Sequence, residues 1–411
     1  MSFHKKVLMS VLRFLARWAI RKYQPGIIGI TGSVGKTSTK EAVLAVLRQI
    51  RKVRASSGNF NNEFGLPLTI LGGWTKAGGI FFWPKVIAVS LFRLLIGTSY
   101  PEVLILEYGA DRPGDLKYLL DIARPQIGIV TAIGDIPVHV EFYAGPDAVA
   151  REKSHLVESL PAQGFAILNF DDDTVYDMRE RTRAHVMTFG FGERAEIRTT
   201  NFENRMENGE PAGIAFKLEY GGSFVPVRLD GTFGRVQAYA AAAAAAVGLA
   251  FGMNLVKISE ALSYYQVPPR RGKILQGIKE TRIFDDSYNA SPLSMHAAID
   301  TIKEFKAKRK VAVFGDMLEI GKYAIEAHEE VGRLAAKVFD VIFAIGPRAR
   351  FIADIANKTG IAKKNIFAFD TADEAKMTVQ DVIAKGDLIL VKGSRAMGLE
   401  KIVEEIKGPI V

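Results

Sequence analysis

The sequence contains no cysteine among its 411 residues. This absence excludes disulfides, cysteine-ligated iron–sulfur clusters, thiolate zinc sites and a cysteine nucleophile, and it agrees with a reducing, cytoplasmic location. Histidine is scarce as well: the six histidines are scattered, and none completes the H-E-x-x-H pattern of a zinc protease. Charged residues interrupt both apolar stretches near the N terminus before they reach the roughly 20 residues that a membrane span needs.

Acidic residues are outnumbered by basic ones. The chain has 54 lysines and arginines against 45 aspartates and glutamates, a net charge of +9. Such a surplus suits a polyanionic ligand or an anionic membrane surface, and we expect no nucleic-acid partner. With 48% hydrophobic residues, the length predicts a folded protein of two or three domains.

Residues 1–24 predict a basic amphipathic helix, because apolar residues recur at helical spacing between lysines and arginines. Two interpretations stay open: the helix packs on its own domain, or it contacts an anionic membrane surface peripherally. A second apolar stretch, residues 80–96, carries Lys85 and Arg93. It is either a docking helix for the first segment or a second interfacial patch.

A glycine-rich turn follows the first apolar strand. Gly26–Ile30 leads into Thr31–Ser38, and a helical pattern comes next. Strand, turn and helix in this order are typical of a phosphate loop, whose backbone N–H groups and helix N terminus bind phosphate. Lys36 can reach the terminal phosphates, and the Thr37 hydroxyl can bind Mg²⁺. The standard pattern would place a glycine where Ile30 stands.

Two further candidate metal ligands follow apolar strands. Glu107 ends the apolar run Val103–Glu107, and His139 follows the run Ile127–Ile133. In phosphate-loop enzymes an acid at the end of a neighbouring strand holds Mg²⁺, whereas spacing alone favours a structural histidine.

A guanine-nucleotide switch is a weaker alternative. Asp111–Gly114 matches D-x-x-G, and Asn357–Gly360 nearly matches N-K-x-D. Gly360 occupies the position of the acid that would bind guanine, so guanine recognition is not expected.

Several blocks together carry a family resemblance. Besides the phosphate loop they are Gly58–Thr69, Glu107–Ala110, Asp285–Pro292, Phe314–Gly321 and Val391–Arg395. In this order they resemble the Mur ligases, the ATP-dependent amide ligases of peptidoglycan synthesis, over roughly residues 25–408. The resemblance is greatest to the branch that adds D-alanyl-D-alanine to a UDP-N-acetylmuramoyl-tripeptide.

The resemblance implies roles for individual residues. Those expected to bind ATP are Gly32, Ser33, Val34, Gly35, Lys36, Thr37, Ser38, Arg271, Asp286, Tyr288 and Asn289. Two Mg²⁺ ions are expected, with Thr37 and Glu107 holding one and His139 helping to hold the other. Lys153 matches a lysine that reacts with CO₂ to give a carbamate, and it is grouped with Lys36 and His139 as catalytic. Substrate contacts are expected from Asn61, Asn62, Lys392, Ser394 and Arg395.

The fold class predicted is α/β. After the helix of residues 1–24, residues 25–267 form a phosphate-loop ATPase domain with a parallel sheet, and residues 268–411 form a Rossmann-like α/β domain. Within 186–229, alternating apolar residues around Gly221–Gly222 predict a β-hairpin appendage.

The sequence departs from the family pattern in three respects. The stretch Gly231–Tyr239 lacks the usual His-Asn pair, and Ala132 stands where asparagine is common. About two dozen residues precede the ATP domain, where relatives carry a UDP-binding domain. The contacts to the nucleotide and to the UDP moiety are therefore expected to be altered.

The predicted reaction forms an amide. ATP phosphorylates an acceptor carboxylate, and the amine of D-alanyl-D-alanine attacks the acyl phosphate. The acceptor is a muramyl peptide carrying UDP, or alternatively a lipid-linked or other non-uridylyl molecule. A third hypothesis is a nucleotide-binding scaffold or switch at the membrane that performs no ligation.

Overall fold

The computed structural model describes residues 3–58, 60–75, 78–79 and 81–408. Asn59 of the asparagine-rich block and Ile80 of the second apolar stretch lie outside the described residues, as do residues 1–2 and 409–411 at the ends of the predicted segments. Within the described residues, no helix combines the length and apolar character that crossing a bilayer requires.

The first part of the chain builds a nine-stranded sheet with the order β2-β3-β1-β4-β5-β6-β7-β8-β9. In this order, every neighbouring pair from β2 through β1 to β7 is parallel, whereas the pairs β7–β8 and β8–β9 are antiparallel. Its strands are β1 (Gly26–Thr31), β2 (Val53–Ala55), β3 (Val103–Glu107), β4 (Ile127–Val130), β5 (Phe165–Asn169), β6 (His185–Gly190), β7 (Ile197–Glu207), β8 (Glu210–Tyr220) and β9 (Ser223–Asp230).

Helices cover both faces of this sheet. They are α1 (Phe3–Tyr23), α2 (Lys36–Leu47), α3 (Gly65–Leu71), α4 (Phe82–Ile96), α5 (Asp115–Ile122), α6 (Pro146–Glu158), α7 (Asp173–Tyr176), α8 (Arg235–Ala250) and α9 (Leu255–Leu262). Strand β1 is buried on both sides, since Ile27 packs into one apolar cluster and Ile28 and Ile30 into the other. Near-continuous apolar strands are expected wherever helices cover both faces of a parallel sheet.

The remainder of the chain forms a six-stranded sheet with the order β10-β11-β15-β12-β13-β14, in which only the β10–β11 pair among the described strands is antiparallel. The strands are β10 (Lys273–Gln276), β11 (Arg282–Asp285), β12 (Arg309–Gly315), β13 (Val341–Ile345), β14 (Ile366–Phe369) and β15 (Asp387–Lys392). The helices are α10 (Pro292–Glu304), α11 (Ala324–Ala335), α12 (Ala349–Thr359), α13 (Ala372–Val382) and α14 (Glu400–Ile406). The α/β class is confirmed.

Two local elements of the nine-stranded unit are the hairpin predicted around Gly221–Gly222 and a buried alanine helix. The hairpin expected within 186–229 is present as β8 and β9, and its turn residues Gly221 and Gly222 both have positive φ. It is not a separate appendage, because pairing through β7 makes it part of the nine-stranded sheet. Helix α8 contains the alanine run Ala240–Ala246, all of it buried, and packs against α2. Small side chains allow this close approach, and alanine is the strongest helix former.

The N-terminal helix α1 packs on the nine-stranded unit. Its residues Leu12, Leu15, Ala16 and Ala19 are buried in the apolar cluster that also contains α3 and α4. The second apolar stretch forms α4, whose C-terminal end accepts hydrogen bonds from α1, with Tyr23 Oη donating to the Arg93 carbonyl at 2.9 Å. Helix α4 therefore docks against α1, as one of the two interpretations predicted.

Candidate active site

A cavity of about 600 Å³ opens between the two sheets. Its walls are the turn between β1 and α2, the end of β3, and residues from the loops after β11, β12 and β15. The predicted site residues that line it are Ser33, Val34, Gly35, Lys36, Thr37, Ser38, Asn61, Glu107, His139, Arg271, Asp286, Tyr288, Asn289, Lys392, Ser394 and Arg395. Gly32, Asn62 and Lys153 are not among its lining residues.

The glycine-rich turn has a backbone that side chains would disrupt. Gly32 has φ +139°, and a Cβ there would lie 2.1 Å from Thr131 Oγ1. The N–H groups of Ser33 and Val34 donate to the Ala132 carbonyl at 2.6 and 3.2 Å. Ala132 thus supports the turn through its backbone. Strand β4 ends at Val130 and not at Ile133, where the apolar run ends, because the residues after Val130 turn toward this loop.

Helix α2 begins at Lys36 with no acidic residue in its first turn. Its N terminus therefore keeps the partial positive charge that attracts phosphate. Glycine at position 35 has φ +90°, which places the helix start directly behind the turn.

Two lysines converge on one carbonyl. Lys36 Nζ donates to the Gly32 carbonyl at 2.7 Å, and the buried Lys153 Nζ donates to the same oxygen at 3.2 Å. Burial, together with the nearby Lys36 charge, lowers the pKa of Lys153 to about 7. Burial also lowers the pKa of Lys36, against the opposing effect of Glu107. Lys153 thus combines burial with a large neutral fraction near pH 7.

The carboxylate of Glu107 is buried between two side chains of α2. Thr37 Oγ1 donates to Glu107 Oε2 at 3.4 Å, and Lys40 Nζ lies 3.2 Å from Oε1. Lys40 is itself buried and donates to the carbonyls of Ser56 and Gly58 at 2.6 and 3.1 Å. The sequence reasoning missed Lys40; its spacing of three residues from Thr37, which puts both on one face of α2, is the signal that could have found it.

The Thr37–Glu107 pair has the chemistry of a magnesium site. Glu107 Oε1 is buried beside the Lys40 ammonium at 3.2 Å, but no described residue donates a hydrogen bond of good geometry to it. Mg²⁺ prefers oxygen ligands and is usually held by one or two carboxylates together with waters and substrate phosphates. The described chain has no group of three or more histidine, aspartate or glutamate side chains that could hold a metal, so phosphate oxygens and waters would have to complete the shell.

His139 joins the two halves of the cleft. Its Nε2 lies 3.2 Å from Asp111 Oδ1, and its Nδ1 lies 2.8 Å from Glu319 Oε2, which belongs to the loop after β12. Burial lowers the pKa of His139 to about 4, although the charge of Asp111 opposes this effect. A lowered pKa favours the neutral imidazole, which is the form that binds metals. Glu319 is a second residue that the sequence reasoning missed.

The opposite wall is held by an ion pair and two stacked cations. Lys392 Nζ donates to Asp286 Oδ2 at 2.6 Å and to the Asn289 carbonyl at 3.0 Å. Burial raises the pKa of Asp286, and Lys392 opposes that rise. The guanidinium carbons of Arg271 and Arg395 lie 4.1 and 5.7 Å from the Tyr288 ring centroid. Lys392 is thus committed to Asp286, while the arginines remain beside the cavity.

The two predicted asparagines differ. Asn61 lines the cavity, and its carbonyl accepts from the Gly109 N–H at 2.8 Å. Asn62 points elsewhere: its Oδ1 accepts from the N–H groups of Phe64 and Gly65 at 3.2 and 2.9 Å. The Asn62 side chain is occupied in starting α3, so its predicted substrate contact would require it to leave these donors.

The stretch that replaces the usual His-Asn pair also reaches the cleft. Phe233, Gly234, Val236 and Gln237 line the cavity. Gln237 Nε2 donates to the Arg271 carbonyl at 3.2 Å. The structure does not support the alternative of a guanine-nucleotide switch. The Asn357 side chain donates to the Ile361 carbonyl, and residues 357–360 do not line the cavity.

A phosphate loop, a buried strand-end carboxylate and a second α/β unit closing over both define a nucleotide-dependent ligase of two-sheet architecture. The chain belongs to the Mur ligase family. Residues 30–77 and 84–248 match the Mur ligase middle domain, and residues 270–395 match the Mur ligase glutamate ligase domain. It is an ATP-dependent ligase, so the hypothesis of a scaffold without ligation is set aside.

Several relatives of this chain are D-alanyl-D-alanine-adding ligases. A UDP-N-acetylmuramoyl-tripeptide–D-alanyl-D-alanine ligase of Bacillus subtilis is 28% identical, over 97% of this chain and 79% of its own. The ligase of that name from Mycobacterium bovis is 30% identical, over 92% of this chain and 72% of its own. The structure of the MurF ligase from Thermotoga maritima in complex with ADP superposes with a TM-score of 0.79 at 27% identity, covering 97% of this chain and 83% of that one. The predicted family is confirmed.

Proposed function

We propose that the chain joins the amine of D-alanyl-D-alanine to the tripeptide carboxylate of UDP-N-acetylmuramoyl-tripeptide, using ATP. The observation that carries the proposal is the cleft, in which the Lys36 turn and the Thr37–Glu107 pair face the Arg271, Asp286 and Tyr288 wall across one cavity. The similar proteins that carry this activity in their names support the choice of substrates.

The turn and α2 would bind the phosphates of ATP. An acceptor carboxylate oxygen attacks the γ-phosphorus, the bond to the ADP oxygen breaks, and an acyl phosphate forms. Lys36 and the N terminus of α2 offset the negative charge that accumulates on the transferred group. Bound Mg²⁺ would neutralise phosphate charge further, with Thr37 and Glu107 as ligands of one ion and His139 serving a second.

The amine then attacks the acyl carbon. A carbon–nitrogen bond forms, phosphate leaves, and the amine loses a proton. Asn61, Ser394 and Arg395 stand at the cavity and are proposed to bind the two substrates there, while Lys392 positions Asp286. Closure by the six-stranded unit would exclude the water that otherwise hydrolyses the acyl phosphate.

We also propose that Lys153 carries a carbamate. Its amine is buried and its pKa is lowered to about 7, so the neutral amine that attacks CO₂ is abundant. The amine nitrogen bonds to the carbon of CO₂ and releases a proton. The product is an anion beside Lys36, which replaces repulsion between two cations by attraction.

The test is phosphate release from ATP and Mg²⁺ with UDP-N-acetylmuramoyl-tripeptide, with and without D-alanyl-D-alanine, and the mass of the product. We expect release only when both substrates are present, and a product heavier by the dipeptide less water. Phosphate release at the same rate with and without D-alanyl-D-alanine would contradict the proposal, and so would a product with the mass of the unmodified acceptor.

A second candidate keeps the reaction and changes the acceptor to a lipid-linked muramyl peptide. It is favoured by the position of α1 and α4 beside the asparagine segment, since Lys5 Nζ lies 5.1 Å from the Phe64 ring centroid and Trp83 packs on the same ring. Running the assay with matched soluble and lipid-linked acceptors separates the two candidates. A peripheral contact with an anionic membrane would involve α1 and α4. The geometry of the cleft neither supports nor opposes such a contact.

A further inference from the structure

Helix α4 leaves a continuous apolar face in solvent. Phe81, Lys85, Ala88, Phe92 and Leu95 recur at spacings of three and four residues, and all are exposed. The exposed fractions of Phe81, Phe92 and Leu95 are 83%, 65% and 72%. The buried positions of the helix lie between them in sequence and face α1 and α3. An apolar face of this kind marks an interaction surface rather than an ordinary scatter of exposed residues.

The two segments that form this face and pack beside it contain basic residues but no acidic ones. Residues 64–101, which include α4, contain no aspartate or glutamate, and neither do residues 1–40, which include α1. Lys85 and Arg93 are exposed on α4 itself. Lys22 at the end of α1 donates to the Leu94 carbonyl, which places its ammonium beside the exposed end of α4.

We propose that this face, defined by Phe81, Lys85, Phe92, Leu95 and Ile96 and extended by Lys22, binds the surface of an anionic membrane. Helices that lie in the membrane interface bury an apolar side a few ångströms deep and place lysine and arginine among the lipid headgroups. The lack of acidic residues in these two segments favours an anionic bilayer over a protein of mixed charge. Binding is peripheral, because no helix among the described residues is suited to crossing a bilayer.

The face is close to the substrate side of the cleft. The Phe64 ring contacts Trp83 near the start of α4, with ring centroids 5.5 Å apart. Three residues earlier, Asn61 lines the cavity. A chain bound to the membrane through α4 would therefore hold the asparagine segment near the lipid surface. This consequence for a lipid-linked acceptor depends on the proposed function, whereas membrane binding itself does not.

The experiment is flotation of the full chain with vesicles of phosphatidylcholine alone and with an equal mixture of phosphatidylcholine and phosphatidylglycerol. The test variant is Phe92→Ser/Leu95→Ser. The matched control is Phe224→Ser/Val256→Ser, which removes two residues of similar exposure, 62% and 58%, from the edge strand β9 and from α9, which packs on the other apolar cluster of this unit. All substituted positions are exposed, and circular dichroism verifies the fold of each variant.

We expect the parent and the control to float with the mixed vesicles, and the test variant to lose at least about tenfold in partitioning. Lys85→Glu should reduce binding to mixed vesicles and leave the weak binding to neutral vesicles unchanged. Equal flotation of parent and test variant would overturn the proposal. So would absence of flotation combined with concentration-dependent dimers that Phe92→Ser/Leu95→Ser abolishes, because the face would then bind a second copy. Soluble-substrate ligase activity is measured in parallel, so that failure of either proposal is recognised separately.

Discussion

Replacing Lys40 by methionine should destabilise the nine-stranded unit strongly. The Lys40 ammonium is fully buried, lies 3.2 Å from Glu107 Oε1, and donates to the Ser56 and Gly58 carbonyls at 2.6 and 3.1 Å. Methionine keeps the length of the side chain but leaves the buried Glu107 carboxylate without its cation and two carbonyls without their donor. Breaking a buried ion pair by removing one partner costs about 3–5 kcal/mol.

The measurement is urea denaturation followed by tryptophan fluorescence, without nucleotide or Mg²⁺. All three tryptophans are partly buried in the apolar cluster around α1, α3 and α4, so their emission reports on the nine-stranded unit. The control is Lys257→Met on the exposed surface of α9, which should change the free energy of unfolding by less than about 0.5 kcal/mol.

The double variant Lys40→Met/Glu107→Gln separates charge from packing. Because glutamine removes the unpaired charge, the double variant should be about 2 kcal/mol more stable than the two single costs added together predict. The reasoning is refuted if Lys40→Met costs less than about 1 kcal/mol, or if the two costs are additive.

Three further outcomes follow from the cleft. Lys36→Ala should lower amine-dependent phosphate release at least about a hundredfold without changing the circular dichroism spectrum, while Lys257→Ala keeps the parent rate; substantial turnover in Lys36→Ala would contradict the assigned role. Gly32→Ala should weaken ADP binding in calorimetry by an amount equivalent to about 1–3 kcal/mol, because φ is +139° and the new Cβ would meet Thr131 Oγ1; Gly73→Ala, where a Cβ has no neighbour within 4 Å, is the control, and equal affinity in the two variants would refute this. For Lys153 the pKa falls from 10.5 to about 7 on folding, so the folded chain binds fewer protons than the unfolded chain in that window and the free energy of unfolding rises with pH. In CO₂-free buffer between about pH 7 and pH 9.5, Lys153→Met should flatten this rise by up to about 1.4 kcal/mol per pH unit, and an unchanged slope would show that Lys153 does not titrate as inferred.

The phosphate turn was predictable because its information is local. A buried strand, glycines with unusual φ and a helix start stand within the eleven residues from Gly26 to Lys36, and each has its own sequence signal. Glu107 was predictable for a related reason, since its strand is a short apolar run that ends in an acid. Parallel pairing of β1 and β3 brings the ends of both strands to one edge of the sheet.

The behaviour of Asn62 could not be predicted in the same way. In the sequence, Asn61 and Asn62 look equally able to contact a substrate. Only Asn61 faces the cavity, because the chain turns into α3 directly after Asn62. The Phe64 and Gly65 N–H groups need an acceptor at the helix start, and the Asn62 side chain supplies it. Which asparagine is used for this purpose depends on the path of the loop.

The sequence by itself determined the α/β class and the phosphate turn, because periodicity and short motifs encode them within single elements. It also indicated the ligase family, through several such motifs spread along the chain. Tertiary structure alone decided the pairing of Lys40 with Glu107, the convergence of Lys36 and Lys153 on one carbonyl, and the contact of His139 with Glu319. Lys153 and Glu319 stand far along the chain from their partners. Their distances are set by the packing of helices on a sheet and of one sheet unit on the other, and no spacing along the chain records that packing.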